Sequence, residues 1–116
     1  MDFTVEFYVT RQGSCPVQKF LDDLKLSAPN DFAIMLSGLD KLRNSGYHQM
    51  PLSEAIGEGL FEIRHVGQLN TRVLYFFMSG RRIVAVHGIR NKGQTIAARD
   101  RRVAVERMND WRNRTK

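Results

Sequence analysis

Three apolar runs follow one another at close spacing in the second half of the chain: Leu60–Val66 (LFEIRHV), Thr71–Met78 (TRVLYFFM) and Arg82–Ile89 (RIVAVHGI). They are short and rich in aromatic and β-branched residues, which predicts strands rather than helices. Connections this short join antiparallel neighbours, so the three runs form a meander. Ser79, Gly80 and Arg81 supply a glycine-containing link of the kind that favours a hairpin between the last two. A sheet with an apolar face has to be covered by a second layer, and the rest of the chain must supply it.

Phe3–Val9 alternates in polarity and predicts another strand, followed by the turn residues TRQGS. Pro16 suits the first turn of a helix, with Ser14 or Cys15 near its cap, and Val17, Phe20, Leu21 and Leu24 recur at helical spacing. LSAPND breaks that helix. Ser27 and Pro29 open a second one, with Phe32, Met35, Leu36, Leu39 and Leu42 as its stripe. NSGYHQMP ends this helical hairpin, and a loop through EAIGEG leads into the meander. From Ala97 to about Arg114 helical spacing returns, with Ala97, Ala104, Met108 and Trp111 on one side and Arg99, Arg102, Glu106 and Asn109 on another. The order β-α-α-β-β-β-α predicts one α+β domain over residues 1–116. Its helical hairpin and C-terminal helix pack against a mainly antiparallel sheet, on one face, leaving the other face open.

At 116 residues and 42% hydrophobic, the chain has material for a single core. No apolar run approaches the roughly 20 residues of a membrane span, and MDFTVEF lacks the basic-then-apolar layout of a secretory signal, so a cytoplasmic protein with no membrane partner is expected. Cys15 is the only cysteine and no Cys/His cluster has zinc spacing, so no disulfide framework, structural metal or cofactor is expected. The net charge of +6 is unevenly placed. Residues 1–80 hold 7 Lys/Arg against 9 Asp/Glu, whereas residues 81–116 hold 11 against 3. Such asymmetry marks either a surface that meets polyanions or a solvated basic helix.

Alternation along the strands places Glu62 and Arg64 on one side, opposite Phe61 and Ile63, and puts Arg72 with Leu74 and Phe76. Unpaired charges are costly to bury, so Arg64 and Arg72 are expected to reach the open face or to pair with Glu62. With the strand ends and the last helix converging, Arg64, Arg72, Arg82, Arg90 and Lys92 would line one basic concavity. The segment VHGIRNKGQT (Val86–Thr95) would be its rim. His87 at the end of the last strand reads equally well as a structural or a catalytic histidine. Neither a P-loop nor a dinucleotide fingerprint is present.

These residues also carry a family resemblance, clearest over residues 60–111. LFEIR is similar to a Leu-aromatic-Glu-Leu-Arg strand, TRVLYFF to a Tyr-Arg-Val-Phe-Tyr-Phe strand, and IVAVHGIRNKGQT to a strand ending His-Gly-Phe before a Lys-Lys-Thr-Gln turn. Asp100, Ala104, Asp110 and Trp111 in ARDRRVAVERMNDW match a closing helix. Together they resemble the RelE-type toxins of bacterial toxin–antitoxin systems, and specifically the phage-derived HigB-like branch. The chain departs from that branch at Asn91 and Lys92, where paired lysines are usual, and at Ala97, where a proline is usual.

The resemblance implies a small metal-independent endoribonuclease that cuts messenger RNA on the translating ribosome and is held inactive by a helix-turn-helix, HigA-like antitoxin. It places Arg64 and Arg72 on the scissile phosphate and gives Lys92 charge stabilisation or proton transfer. Arg82, His87, Arg90, Gln94 and Arg102 would hold RNA, and Glu62 would orient Arg64 or act as a base. The same fold serves ParE-type toxins that bind DNA gyrase, and an inactive RNA-binding relative is a third reading.

Overall fold

The computed structural model of the chain describes residues 2–66, 70–91 and 95–114. Its elements are β1 (Thr4–Phe7), α1 (Pro16–Ser27), α2 (Pro29–Lys41), a 3-10 turn (Ser45–Tyr47), β2 (Ser53–Gly57), β3 (Leu60–Val66), β4 (Asn70–Met78), β5 (Arg82–Asn91) and α3 (Ala98–Arg114). The five strands form one sheet in the order β1-β5-β4-β3-β2. Strands β2 to β5 pair antiparallel, and β1 lies parallel to β5 at the edge. The chain is therefore α+β with a mainly antiparallel sheet, as its pattern of elements predicts.

Strand β2 occupies the segment expected to be a loop. Ser53 pairs with Ile63 and Ala55 with Phe61, and the register slips between Ala55 and Gly57. The chain then reverses within Gly57, Glu58 and Gly59, whose φ angles are 94°, 59° and 86°. Only glycine adopts such angles without penalty, so the two glycines make the reversal feasible while Glu58 carries the strain.

The larger departure is that neither face of the sheet is open. Ile63, Val73, Tyr75, Ile83 and Ala85 pack with Val17, Leu21 and Leu24 of α1 and with Met35 and Leu39 of α2. Leu60, Leu74, Phe76, Val84, Val86 and Ile89 pack with Ala104 and Met108 of α3. Tyr75 and Phe76 are sequence neighbours, so they point to opposite faces, yet both are fully buried. A strand such as Val-Leu-Tyr-Phe-Phe-Met is apolar on both sides and requires two covers. Each such buried side chain is worth about 1.5–3 kcal/mol, which is ample reason for α3 to cross to the face left by the hairpin. On the hairpin face the Tyr75 hydroxyl and Ser53 Oγ share a buried hydrogen bond of 2.7 Å, tying β2 into the sheet.

Smaller features fix the helices. Cys15 is the N-cap of α1 and Ala28 that of α2, neither through its side chain. Pro16 and Pro29 begin the two helices. Ser14 instead bonds Thr10, and Ser27 Oγ donates to the Asp23 carbonyl. Leu36, expected in the apolar stripe of α2, is about half exposed. Helix α1 lies so close to β5 that a Cβ on Gly88 would sit 2.3 Å from the Phe20 ring, so only glycine permits this approach. Helix α3 is held by polar ties: Tyr8 donates to Asp110 at 2.7 Å, Arg101 to the Ile56 carbonyl at 2.6 Å, and Arg114 to the Val9 carbonyl.

Candidate functional site

Strand register sorts the predicted site residues into rows. Arg64 lies across from Arg72, which lies across from Ile89; the next row toward the strand ends is His65, Thr71 and Arg90. Cross-strand partners share a face, so Arg64 and Arg72 belong to the α3 face, whereas His65 and Arg90 belong to the face of α1 and α2. Arg64 is half-buried and Arg90 exposed.

Arg72 does not reach solvent. Its side chain is 0% exposed, and its Nε lies 3.1 Å from Oε2 of Glu62, itself 7% exposed. Of the two arrangements expected from the sequence, pairing with Glu62 is the one adopted. The reason is the extra cover: the face that was to be open lies under α3, and a guanidinium there needs a countercharge. Burial pushes the Glu62 carboxyl above its ordinary value, and the attraction of Arg72 and Arg64 opposes that rise. Glu62 is thus the counterion of a buried arginine.

The expected single concavity is also divided. Arg82 starts β5, whereas Arg90 is eight residues further on, about 26 Å at 3.3 Å per residue. Arg82 is moreover bound through Nε and Nη2 to the Glu6 carboxylate at 3.1 and 2.5 Å. It therefore belongs to the anchoring of β1 to β5. Arg102 is exposed on α3. Lys92 and Gln94 lie outside the described residues. Much of the positive charge of residues 81–116 is engaged in holding α3: Arg101, Arg107 and Arg114 all donate to backbone carbonyls, of Ile56, Val86 and Val9.

His87 belongs to the same anchoring. Its Nε2 is 2.8 Å from Oδ1 of Asp100, and its Nδ1 is 3.1 Å from Nη1 of Arg107, which also donates to the Val86 carbonyl. An arginine can only donate, so Nδ1 is an acceptor and the ring is the neutral tautomer that donates from Nε2 to Asp100. Burial holds the His87 ring below its ordinary value; the Asp100 hydrogen bond opposes this, and Arg107 and Arg99 add to it. Both nitrogens are occupied in joining β5 to α3.

A second histidine, not singled out from the sequence, stands differently. His65 Nε2 lies 3.2 Å from Oδ1 of Asp31, in the first turn of α2. The Asp31 side chain is 8% exposed and its Oδ2 has no hydrogen-bond partner among the described residues; the His65 side chain is 22% exposed. Nothing in the sequence marks the pair. An aspartate in a first helical turn reads as a complement to the helix dipole, and only the packing of α2 on β3 brings it to His65.

The family model described as phage derived protein Gp49-like (DUF891) matches residues 19–109, from within α1 to near the end of α3. The chain belongs to this Gp49-like family. The family is of the RelE/HigB toxin type and is related to the toxins of toxin–antitoxin systems, so membership points to an antitoxin as partner. No curated protein matches the chain. The Gp49-like match spans α2, β2 to β5 and most of α3, and so includes both histidine–aspartate pairs, the Arg64–Arg72 row and the Arg72–Glu62 ion pair. Among the described residues, no helix of this Gp49-like chain is long and apolar enough to cross a membrane.

Proposed function

We propose that this chain is the toxin of a toxin–antitoxin system, of the HigB-like branch, and that it cuts messenger RNA on the translating ribosome in the cytoplasm. Membership of the Gp49-like family carries this reading. The geometry supports it through the sheet end at which Arg64 and Arg90 lie one row apart on opposite faces, which puts a cation on each side of that end for a phosphate backbone to meet.

Cleavage by the RNA's own 2′-hydroxyl needs that hydroxyl in line with the leaving oxygen, stabilisation of charge growing on the phosphate, and proton transfers. Arg64, half-buried and therefore restricted, contacts the scissile phosphate. Arg72 acts from below: paired with Glu62, it fixes the strand segment from which Arg64 projects. Lys92, following β5 in sequence, stabilises the developing charge, and Arg90, Gln94 and Arg102 hold RNA and ribosome. None of these roles calls for a metal ion. The cognate antitoxin, a helix-turn-helix protein of HigA type, inhibits by covering the cationic end.

Induced expression in bacteria tests the proposal. A ribosome-dependent nuclease stops translation and leaves cut messenger RNA, and co-expression of the antitoxin reverses both. Induction of DNA damage with intact messenger RNA would instead identify a gyrase-directed toxin of ParE type, and neither effect would identify an inactive RNA-binding relative.

A further inference from the structure

We propose that His65, oriented by Asp31, is the proton acceptor for the 2′-hydroxyl, an assignment that rests on the endoribonuclease reading above. The two ends of the imidazole differ. One nitrogen, Nε2, meets the Asp31 carboxylate at 3.2 Å, whereas Nδ1 has no partner among the described residues. A carboxylate only accepts, so the contact favours the ring tautomer with its hydrogen on Nε2, toward Asp31, and its lone pair on Nδ1. Asp31 is nine-tenths buried and has no other cation bound to it among the described residues, so its carboxylate is dedicated to this ring. A base biased toward one tautomer by a buried carboxylate, with its second nitrogen unpaired among the described residues, is the arrangement that proton abstraction requires.

Placement supports the same role. His65 is the penultimate residue of β3, in the row of Arg90. Two strand spacings separate their backbones by roughly 10 Å, a span that an arginine side chain and an intervening phosphate fill. Arg64, the adjacent residue, projects from the same strand end on the opposite, α3 face, so the cation on the side of His65 is Arg90. In the step itself, His65 Nδ1 takes the proton of the 2′-hydroxyl while the 2′-oxygen bonds to phosphorus. The bond from phosphorus to the 5′-oxygen breaks, and that oxygen takes a proton from water. The products are a 2′,3′-cyclic phosphate and a 5′-hydroxyl, and the His65 proton returns to solvent. Asp31 is a positioning residue that touches only the ring.

The test uses the full chain on messenger-programmed ribosomes in single-turnover cleavage. His65→Gln keeps a donor for Asp31 and so keeps the tie between α2 and β3, but cannot take the proton; cleavage at saturation is expected to fall by about 10²-fold or more. His65→Ala is expected to fall as far, and added imidazole is expected to restore part of its rate, which a purely structural histidine would not allow. Asp31→Asn is expected to lower the maximal rate with the half-saturating ribosome concentration unchanged. Cleavage by His65→Gln at the wild-type rate, or absence of imidazole rescue in a folded His65→Ala protein, overturns the assignment. Absence of cleavage by the wild-type chain overturns the endoribonuclease reading instead.

Discussion

Each face of the sheet carries a histidine–aspartate pair, and the two are built to opposite ends. On the α3 face, His87 is closed at both nitrogens by Asp100 and Arg107, within a mesh of arginines bound to backbone carbonyls. On the α2 face, His65 is tied by Asp31 at one nitrogen only, and it stands at the strand end in the row of Arg90, with Arg64 on the opposite face. Residue type therefore does not separate an anchor from a working group in this fold. What separates them is how many of the group's valences the surrounding elements already use.

The largest effect is expected from the buried ion pair of Arg72 and Glu62. Arg72→Met leaves Glu62 as an uncompensated buried charge and should cost about 3–5 kcal/mol, read as a lowered midpoint in urea. The paired change Arg72→Met with Glu62→Leu should recover most of the loss. A single Arg72→Met protein with wild-type stability would show that the α3 face is not held by charge. Because burial raises the Glu62 carboxyl in the folded state, the cost in that single variant should ease as pH falls through the raised value.

Arg64→Ala should lower cleavage by about 10²-fold with little change in stability, since its guanidinium is assigned to the charge developing at the phosphate. That outcome would sharpen the contrast between two arginines directly across from one another, one structural and one active. Equal effects of both substitutions on stability would erase it.

His87 gives a pH signature of its own. Its folded-state value lies below the ordinary 6.5, mainly through burial, so the neutral ring contributes stability that is complete above 6.5. That contribution is lost as pH falls from there through the lower folded value, because the unfolded chain binds the proton first. Chemical denaturation across this range should show the decline in the wild type and a flatter profile for His87→Gln. The smallest effect belongs to Arg102→Ala on the exposed side of α3, expected to lower the slope of log affinity against log salt by about one for ribosome or RNA binding.

Local pattern carried most of the fold. Leu60–Val66 occurs as read, and the helical spacings of α1 and α3 place Leu21, Leu24, Ala104 and Met108 in the core. The misreadings have physical causes. Ser53, Glu54 and Gly57 leave β2 without apolar alternation, and it becomes a strand only because β3 offers an edge to pair with. The unbroken apolar run Val73–Met78 already signals a strand covered on both faces, and that signal argues against an open face from the sequence alone. The site was less legible because its pairings are long-range. Arg82 meets Glu6 across a parallel ladder, and His65 meets Asp31 across 34 positions, contacts that no periodicity encodes.

Cleavage is expected to depend on the open histidine at the strand end and to tolerate loss of the closed one. Messenger-programmed ribosomes, chelator and saturating toxin provide the direct measurement: fragments are followed in a single turnover for the wild type, His65→Gln and His87→Gln, and their ends are identified. Ends of 2′,3′-cyclic phosphate and 5′-hydroxyl are expected from the wild type and, at a similar rate, from folded His87→Gln, with His65→Gln slower by about 10²-fold or more. Intact messenger RNA with the wild type, or His65→Gln cutting as fast as His87→Gln, would contradict this expectation.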